Sequence, residues 1–347
     1  MDLLVLFAAF CGGGFGAAFG GVAAYVFSGF LTLFGVVAGA AGVQFSILGT
    51  LSFGAFYGPQ VGFAGAVAAA AYARRRGYIP SGRDIFTPLV SLKKPDVLVV
   101  GGLVGLLGYA MSVWLGTVWA GRLDTTAFTV FATAIISKLI FGKGGLGEIF
   151  NKAPQEIRKA GGRFSVNSSA TWLPYGNTAA EKVVIGIMVG GGATWVTHVM
   201  LQYPSTAPVA YYIPYAISVV SLFFLQFGAP VYVTHHISLC AAYGMMMSGG
   251  NVWWGLAGGM LAVFLADVMA RAFLLFGDTH VDPPATAIAA TSFILFTLVP
   301  LTGTLNLVGN LSNALPVAIL VAALVFAVSQ SIAIRGKSET LNPSVPV

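Results

Sequence analysis

The segment GDTHVDPP, which begins at Gly277, carries three side chains capable of chemistry immediately before a long apolar run. Asp282 followed by proline is typical of a helix start, because the carboxylate accepts hydrogen bonds from free amides and proline fits the first helical position. That reading leaves Asp278 and His280 unexplained. The three could also supply oxygen and nitrogen ligands to a divalent metal, but this spacing has low specificity and we assign no metal site. We expect His280 to face a water-filled cavity.

A second polar group interrupts an otherwise uncharged stretch at Thr234, His235 and His236. A histidine in an apolar span needs polar company, and its charge changes near neutral pH. The alternative is a histidine that only hydrogen-bonds to a neighbouring helix. Gln44 and Ser46 lie in the comparable region of the N-terminal half, and we predict that both groups border one binding site.

Asp267 and Arg271 are four residues apart, which places them on one face of a helix. They either close the helix end as an ion pair or provide a carboxylate that couples transport. Asp84 and Thr87, followed by proline, predict a further helix start comparable to the one at Asp282.

The elements that must position these residues are transmembrane helices. Hydrophobic residues make up 57% of the chain and charged residues only 8%. Three long stretches contain no Lys, Arg, Asp or Glu, namely 3–73, 183–266 and 283–334. A spanning helix needs about 20 apolar residues, and the stretches lack the alternation of a barrel. The sequence therefore predicts an all-α polytopic membrane protein with about 10–12 spans.

Several function classes are disfavoured. The two cysteines lie in apolar surroundings, which does not suggest a disulfide framework. The net charge of +6 arises from short basic segments between spans, so we predict no nucleic-acid partner. No phosphate-binding loop, haem motif or iron–sulfur motif is present, and we predict no cofactor. The N-terminal segment reads as an uncleaved first helix.

The two parts of the chain resemble each other. The run VGFAGAVAAAAYARRRG from Val61 matches WGLAGGMLAVFLADVMA from Trp254, and GRDIFTPL from Gly82 matches GDTHVDPPA from Gly277 at nearly the same interval. A basic loop is thus matched by an acidic one, which favours inverted over parallel halves. We predict two repeats of five or six spans with discontinuous or re-entrant helices. The predicted divisions are a first repeat (1–142), a cytoplasmic connector with an amphipathic surface helix (143–182), a second repeat (183–337) and a tail (338–347).

Duplicated membrane halves are typical of secondary transporters, whose site lies where the halves meet. We therefore expect a transporter or channel-like permease, without enzymatic activity, that moves a small polar or anionic solute by alternating access. The alternatives are a non-catalytic membrane subunit and a membrane-embedded metalloenzyme. The expected partners are the solute or ion, the lipid bilayer and, in a homo-oligomer, further copies of the chain. The expected location is a prokaryotic inner membrane.

Overall fold

The computed structural model describes residues 2–165 and 170–341, with side chains through Ile334. In these residues every regular element is helical, which confirms the predicted helical class. Residues 342–347 of the predicted tail lie outside the described residues, and 338–341 belong to the last helix.

Before the connector, the chain forms five helices separated by turns and short irregular segments. They are α1 (Leu3–Phe19), α2 (Gly21–Ala40), α3 (Gly62–Arg75), α4 (Pro95–Val118) and α5 (Thr125–Phe141). The connector contains the short helix α6 (Gln155–Lys159), whose Ile157 is buried while its charged residues are exposed.

After the connector come α7 (Ala179–Leu201), α8 (Tyr212–Ser221), α9 (His235–Met247), α10 (Val252–Met269), α11 (Pro283–Phe293), the single turn α12 (Val299–Leu301) and α13 (Ala314–Leu341). Residues 222–227 extend α8 as a 3-10 helix, and π-helical turns extend α10 to Leu274 and α11 to Leu298.

Within residues 2–165 and 170–341, six helical segments are long and apolar enough to cross a membrane. They are Gly21–Ala40, Pro95–Val118, Ala179–Leu201, Val252–Leu274, Pro283–Leu301 and Gly309–Ile334. Three shorter apolar segments accompany them, Leu3–Phe19, Thr125–Phe141 and Tyr212–Phe227.

The starts of two of these helices are stabilised by side chains that cap them. Asp124 accepts a hydrogen bond from the Ala127 amide at the start of α5. At the start of α7, Thr178 and Glu181 each accept from the other's backbone amide. Such caps satisfy amides that have no partner within the helix.

Helices α1, α3 and α4 pack together through glycines. A methyl group added to Gly13 would lie 2.2 Å from the carbonyl oxygen of Gly101, and one added to Gly65 would lie 2.7 Å from the Gly13 Cα. Helices α7, α9 and α10 form a second group of three, where Gly190 faces Gly259. Small residues allow backbones to approach this closely, so the glycine runs are explained by helix packing.

The helices before the connector meet those after it along two helix pairs. Helix α2 packs against α8, and α5 packs against α11. Helices α3 and α9 lie inside the bundle and are short, with 14 and 13 residues, most of them buried. At 1.5 Å per residue each is only about 20 Å long, less than the roughly 30 Å of a bilayer core.

The end of α10 is held by cations from three other segments. Lys138 of α5 donates to the Phe273 carbonyl, Arg163 of the connector to Ala272, and Arg83 of the α3–α4 loop to Leu275. Positive groups are favourable at a helix C-terminus, where the last carbonyls have no helical partner. These contacts bring the connector, the α3–α4 loop and the C-terminal ends of α5 and α10 together at one face of the bundle, which we call the basic face.

Candidate functional site

A cavity of about 590 Å³ lies where α2, α3, α5, α8, α9 and α11 meet. Its polar lining consists of Asp124, Asp282, His235, Thr125, Thr126 and five tyrosines, namely Tyr25, Tyr211, Tyr212, Tyr215 and Tyr243. None of the lining residues is Lys or Arg. Both helix groups therefore contribute to a single acidic and aromatic cavity.

Two helix starts reach the cavity with an aspartate cap. Asp282 Oδ2 accepts from the Ala285 amide at 2.8 Å, which confirms the predicted cap at Pro283. Asp124 Oδ1 accepts from the Ala127 amide at 2.8 Å, and its Oδ2 accepts from the Tyr243 hydroxyl at 2.7 Å. At each of these helix starts, the aspartate carboxylate thus already accepts from a free amide that an anionic ligand would otherwise use.

The innermost part of the cavity is formed by a pair of tyrosines and one histidine. The hydroxyls of Tyr25 and Tyr215 are 2.9 Å apart and hydrogen-bonded. The His235 ring lies against both, with centroid distances of 5.1 Å and 6.3 Å. Its Nδ1 is buried without a hydrogen-bond partner among the described residues.

His280 lies behind Asp282 rather than in the cavity lining, so the prediction that it faces the cavity is not supported. Its Nε2 is 3.3 Å from Asp282 Oδ1, and its ring packs edge-on against Phe63. Its backbone amide donates to the Gly82 carbonyl, which fixes this segment beside the α3–α4 loop.

Asp267 and Arg271 form the predicted i,i+4 ion pair at 3.0 Å, but they lie outside the cavity lining. Lys182 Nζ is 3.7 Å from the same carboxylate. Arg271 also donates to the Arg163 carbonyl and to Asn177 Oδ1. The arrangement ties α10 to α7 and to the connector.

Asp278, Asp84 and Thr87 belong to the basic face and are also outside the cavity lining. Exposed Asp278 pairs with Arg74. Asp84 accepts from the amide and hydroxyl of Thr87 and from the Phe86 amide. Partial burial acts to raise the pKa of Asp84, but these hydrogen bonds outweigh it and hold the pKa below its ordinary value. The predicted helix start at Thr87 is a single 3-10 turn, Leu89–Leu92.

Gln44 and Ser46 lie in an exposed turn after α2 and do not approach the histidines of α9. Thr234 precedes α9 and accepts two amide hydrogen bonds through its carbonyl. His236 is fully buried outside the cavity lining, 6.1 Å from the Trp172 ring. Of the residues predicted for the site, the structure thus brings His235 and Asp282 to the cavity.

The metalloenzyme alternative required a cluster of metal ligands. In the described part of the chain, no three His, Cys, Asp or Glu side chains are grouped so that they could hold a metal ion. Asp278, the third member of the low-specificity motif, is turned towards Arg74.

Sequence reasoning missed Asp124 and the cavity tyrosines. A signal for Asp124 was present, because the run LDTTA around it resembles VDPPA around Asp282. The tyrosines gave no such signal, since an aromatic residue in an apolar helix is ordinarily part of the core.

Comparison with known proteins assigns the chain to a family without assigning an activity. No curated protein and no solved structure matches it. One family model matches residues 1–309, which include α1 to α12 and end before α13. The chain therefore belongs to a family of unknown function, DUF7973.

Proposed function

We propose that the protein is a secondary transporter that binds a small polar solute in the cavity and moves it by alternating access. The observation that carries the proposal is a single cavity lined by two groups of helices, one on each side of the connector. Sites of this kind, at the interface of two membrane halves, are typical of secondary transporters.

We further propose that α1–α5 and α7–α11 are repeats of one another. The packing supports this: α1 contacts α3 and α4 as α7 contacts α9 and α10, while α2 meets α8 and α5 meets α11. Matching helices by order pairs Tyr25 with Tyr215 and Asp124 with Asp282. The members of each pair occupy corresponding places, near the starts of α2 and α8 and at the caps of α5 and α11.

This register differs from the one that sequence similarity favoured. The stretch from Val61 forms α3, the third helix of its group, whereas the stretch from Trp254 forms α10, the fourth. The segments from Gly82 and Gly277 lie side by side, joined by a bridge between Gly82 and Thr279. Because glycine and alanine are abundant in this chain, the alignment of the Val61 stretch with the Trp254 stretch can arise from composition alone.

Helices α3 and α9 are too short to cross a bilayer alone, and we propose that each completes its crossing with the irregular segment before it. Each repeat then crosses the membrane five times, and an odd number of crossings implies an inverted relation. Two observations support this. Val26 and Gly29 of α2 lie near Leu222 and Val219 of α8, so the residue order on one helix opposes that on the other. The basic residues of the α3–α4 loop and connector share the basic face, which the positive-inside rule would make cytoplasmic.

The cavity in this state is accessible from the face opposite the basic face. Its lining includes exposed Gly121 in the α4–α5 loop and half-buried Met247 at the end of α9. At the other end it is bordered by Asp282, behind which buried His280 and Val281 contact the α3–α4 loop and neighbouring helices. We assign this state as outward-facing, and the short buried helices α3 and α9 as the discontinuous helices of the two repeats.

Cysteine accessibility tests alternating access without knowledge of the solute. In a Cys11→Ala, Cys240→Ala background, Ala285→Cys places a thiol in the cavity and Val281→Cys places one behind it. We expect a membrane-impermeant maleimide to label Ala285→Cys from the outer face. We expect Val281→Cys to be labelled only from the cytoplasmic face, when the protein turns inward.

Ile187→Cys, on the exposed apolar surface of α7, is the matched control and should resist labelling from both faces. Labelling of Ala285→Cys from the outer face alone, together with full protection of Val281→Cys under all solutes and potentials, would refute alternating access. That result would favour the non-catalytic subunit instead.

A further inference from the structure

We propose that the cavity binds an organic ammonium cation, with the Asp282 carboxylate as its charge partner and tyrosine rings as its walls. The proposal rests on the transport function above and specifies its substrate class. It departs from the anionic solute that the helix starts suggested.

Among the described residues, neither cavity carboxylate has a lysine or arginine partner. Among the described side chains, Asp282 contacts His280 and the Ala285 amide, and Asp124 contacts the Tyr243 hydroxyl and the Ala127 amide. Arg122 is exposed and lies two residues before Asp124 in the sequence, but it does not line the cavity. A carboxylate removed from water is costly unless it is paired, so a ligand with positive charge would be bound favourably.

The ion-paired aspartate outside the cavity shows the contrast. Asp267 has two cations beside it, Arg271 at 3.0 Å and Lys182 at 3.7 Å. The described part of the chain therefore places two cations beside half-buried Asp267 and no lysine or arginine beside the two aspartates of the cavity.

His235 gives a second, independent indication of a ligand. It lines the cavity and is 3% exposed, and its Nδ1 has no hydrogen-bond partner in the part of the chain that the structure describes. A buried polar atom without a partner costs free energy, which a bound donor would recover. An ammonium group offers N–H donors to both a neutral imidazole and a carboxylate.

The walls favour an organic over an inorganic cation. Five tyrosines and three phenylalanines line the cavity, and the faces of such rings attract ammonium groups. Hard inorganic cations instead require about six or more oxygen ligands at short range. A volume of about 590 Å³ also accommodates the apolar part of an organic molecule.

The test uses isothermal titration calorimetry to measure how matched probes bind to the purified protein in nanodiscs. The probes are n-butylammonium, tetramethylammonium, n-butyrate and sodium chloride. Asp282→Asn removes the charge but retains a good helix cap. Asp278→Asn, four residues earlier and outside the cavity, is the matched control.

We expect n-butylammonium, which carries N–H donors, to bind more tightly than tetramethylammonium, which carries none, and we expect butyrate not to bind. Asp282→Asn should weaken ammonium binding by about tenfold or more, as the loss of one charge-assisted contact implies. Asp278→Asn should leave binding unchanged. His235→Phe, which retains a ring but no acceptor, should also weaken binding.

Binding of butyrate with no ammonium binding would overturn the proposal, as would saturable sodium binding without ammonium binding. Ammonium binding that is equal in Asp282→Asn and wild type would overturn it as well. These failures differ from failure of the transport function. If proteoliposomes take up butyrate, the protein is still a transporter but its substrate is not an ammonium cation. If an ammonium probe binds but is never transported, the binding proposal stands and only the transport function is refuted.

Discussion

At the residue scale, the half-buried aspartates Asp267 and Asp282 differ in what balances their charge. Asp267 is surrounded by Arg271 and Lys182, and these cations also hold the connector. Asp282 has a histidine and a backbone amide. The cations beside Asp267 join α10 to α7 and the connector, whereas the Asp282 carboxylate can still pair with a positively charged ligand.

Asp267→Asn should destabilise the protein strongly, by about 3–5 kcal/mol, because it leaves two buried cations without a counter-charge. Thermal unfolding in detergent measures this. In the Asp267→Asn background, Lys182→Met should recover part of the loss, since it removes one of the unbalanced charges. A variant as stable as wild type would mean that the ion pairs contribute nothing.

Asp282 combines capping and charge, which two substitutions separate. Asp282→Ala removes the cap and should cost about 0.5–2 kcal/mol, whereas Asp282→Asn should cost little. Their unfolding midpoints under identical conditions give the comparison. Equal loss of stability in both would show that the charge, rather than the cap, stabilises the start of α11.

At the element scale, glycines set how closely the helices pack. The runs Gly12–Gly14 of α1 and Gly190–Gly192 of α7 look alike in sequence, yet their surroundings differ. Gly13 is pressed against α4, while a methyl group added to Gly192 would contact nothing within 4 Å.

Gly13→Ala should therefore disrupt the packing of α1 on α4, because backbone atoms 2.2 Å and 2.8 Å away cannot yield without moving the helices. Gly192→Ala is the matched control and should stabilise α7 by about 0.5–1 kcal/mol. Size-exclusion profiles and unfolding midpoints distinguish them. Similar behaviour of the two variants would contradict the close packing of α1 and α4.

At the scale of the whole molecule, α13 stands apart from the helices that form the cavity. It packs on α7 and α10, and much of its surface is exposed and apolar. It also follows the residues that the family model matches.

A chain ending after Asn313 should therefore keep the cavity and its ligand binding. The face of α7 and α10 that α13 covers is mostly apolar, and lipid can replace that contact. The shortened chain also loses Gln330, whose Oε1 accepts from the Ala179 amide at the start of α7, so we expect a modest loss of stability. Two measurements on the shortened chain test this: whether it is monodisperse in detergent, and whether it binds the ammonium probes. Aggregation, or loss of binding, would make α13 part of the core.

Composition and charge spacing alone determined that the protein is helical and suited to a membrane, since apolar stretches this long have few other structures. Local patterns also determined the cap at Asp282 and the pairing of Asp267 with Arg271, because both depend on residues within one turn of helix.

The tertiary structure decided which polar residues meet. Asp124, Tyr25 and Tyr215 come together with His235 and Asp282 from separate helices, whereas Gln44 and Ser46 remain in an exposed turn. Lys182 is buried beside Asp267, although its place in the sequence suggested the end of a connector. Such contacts depend on how α2, α5, α8, α9 and α11 pack and on where each helix ends. Hydrophobic periodicity does not carry that information when helices are apolar on every side.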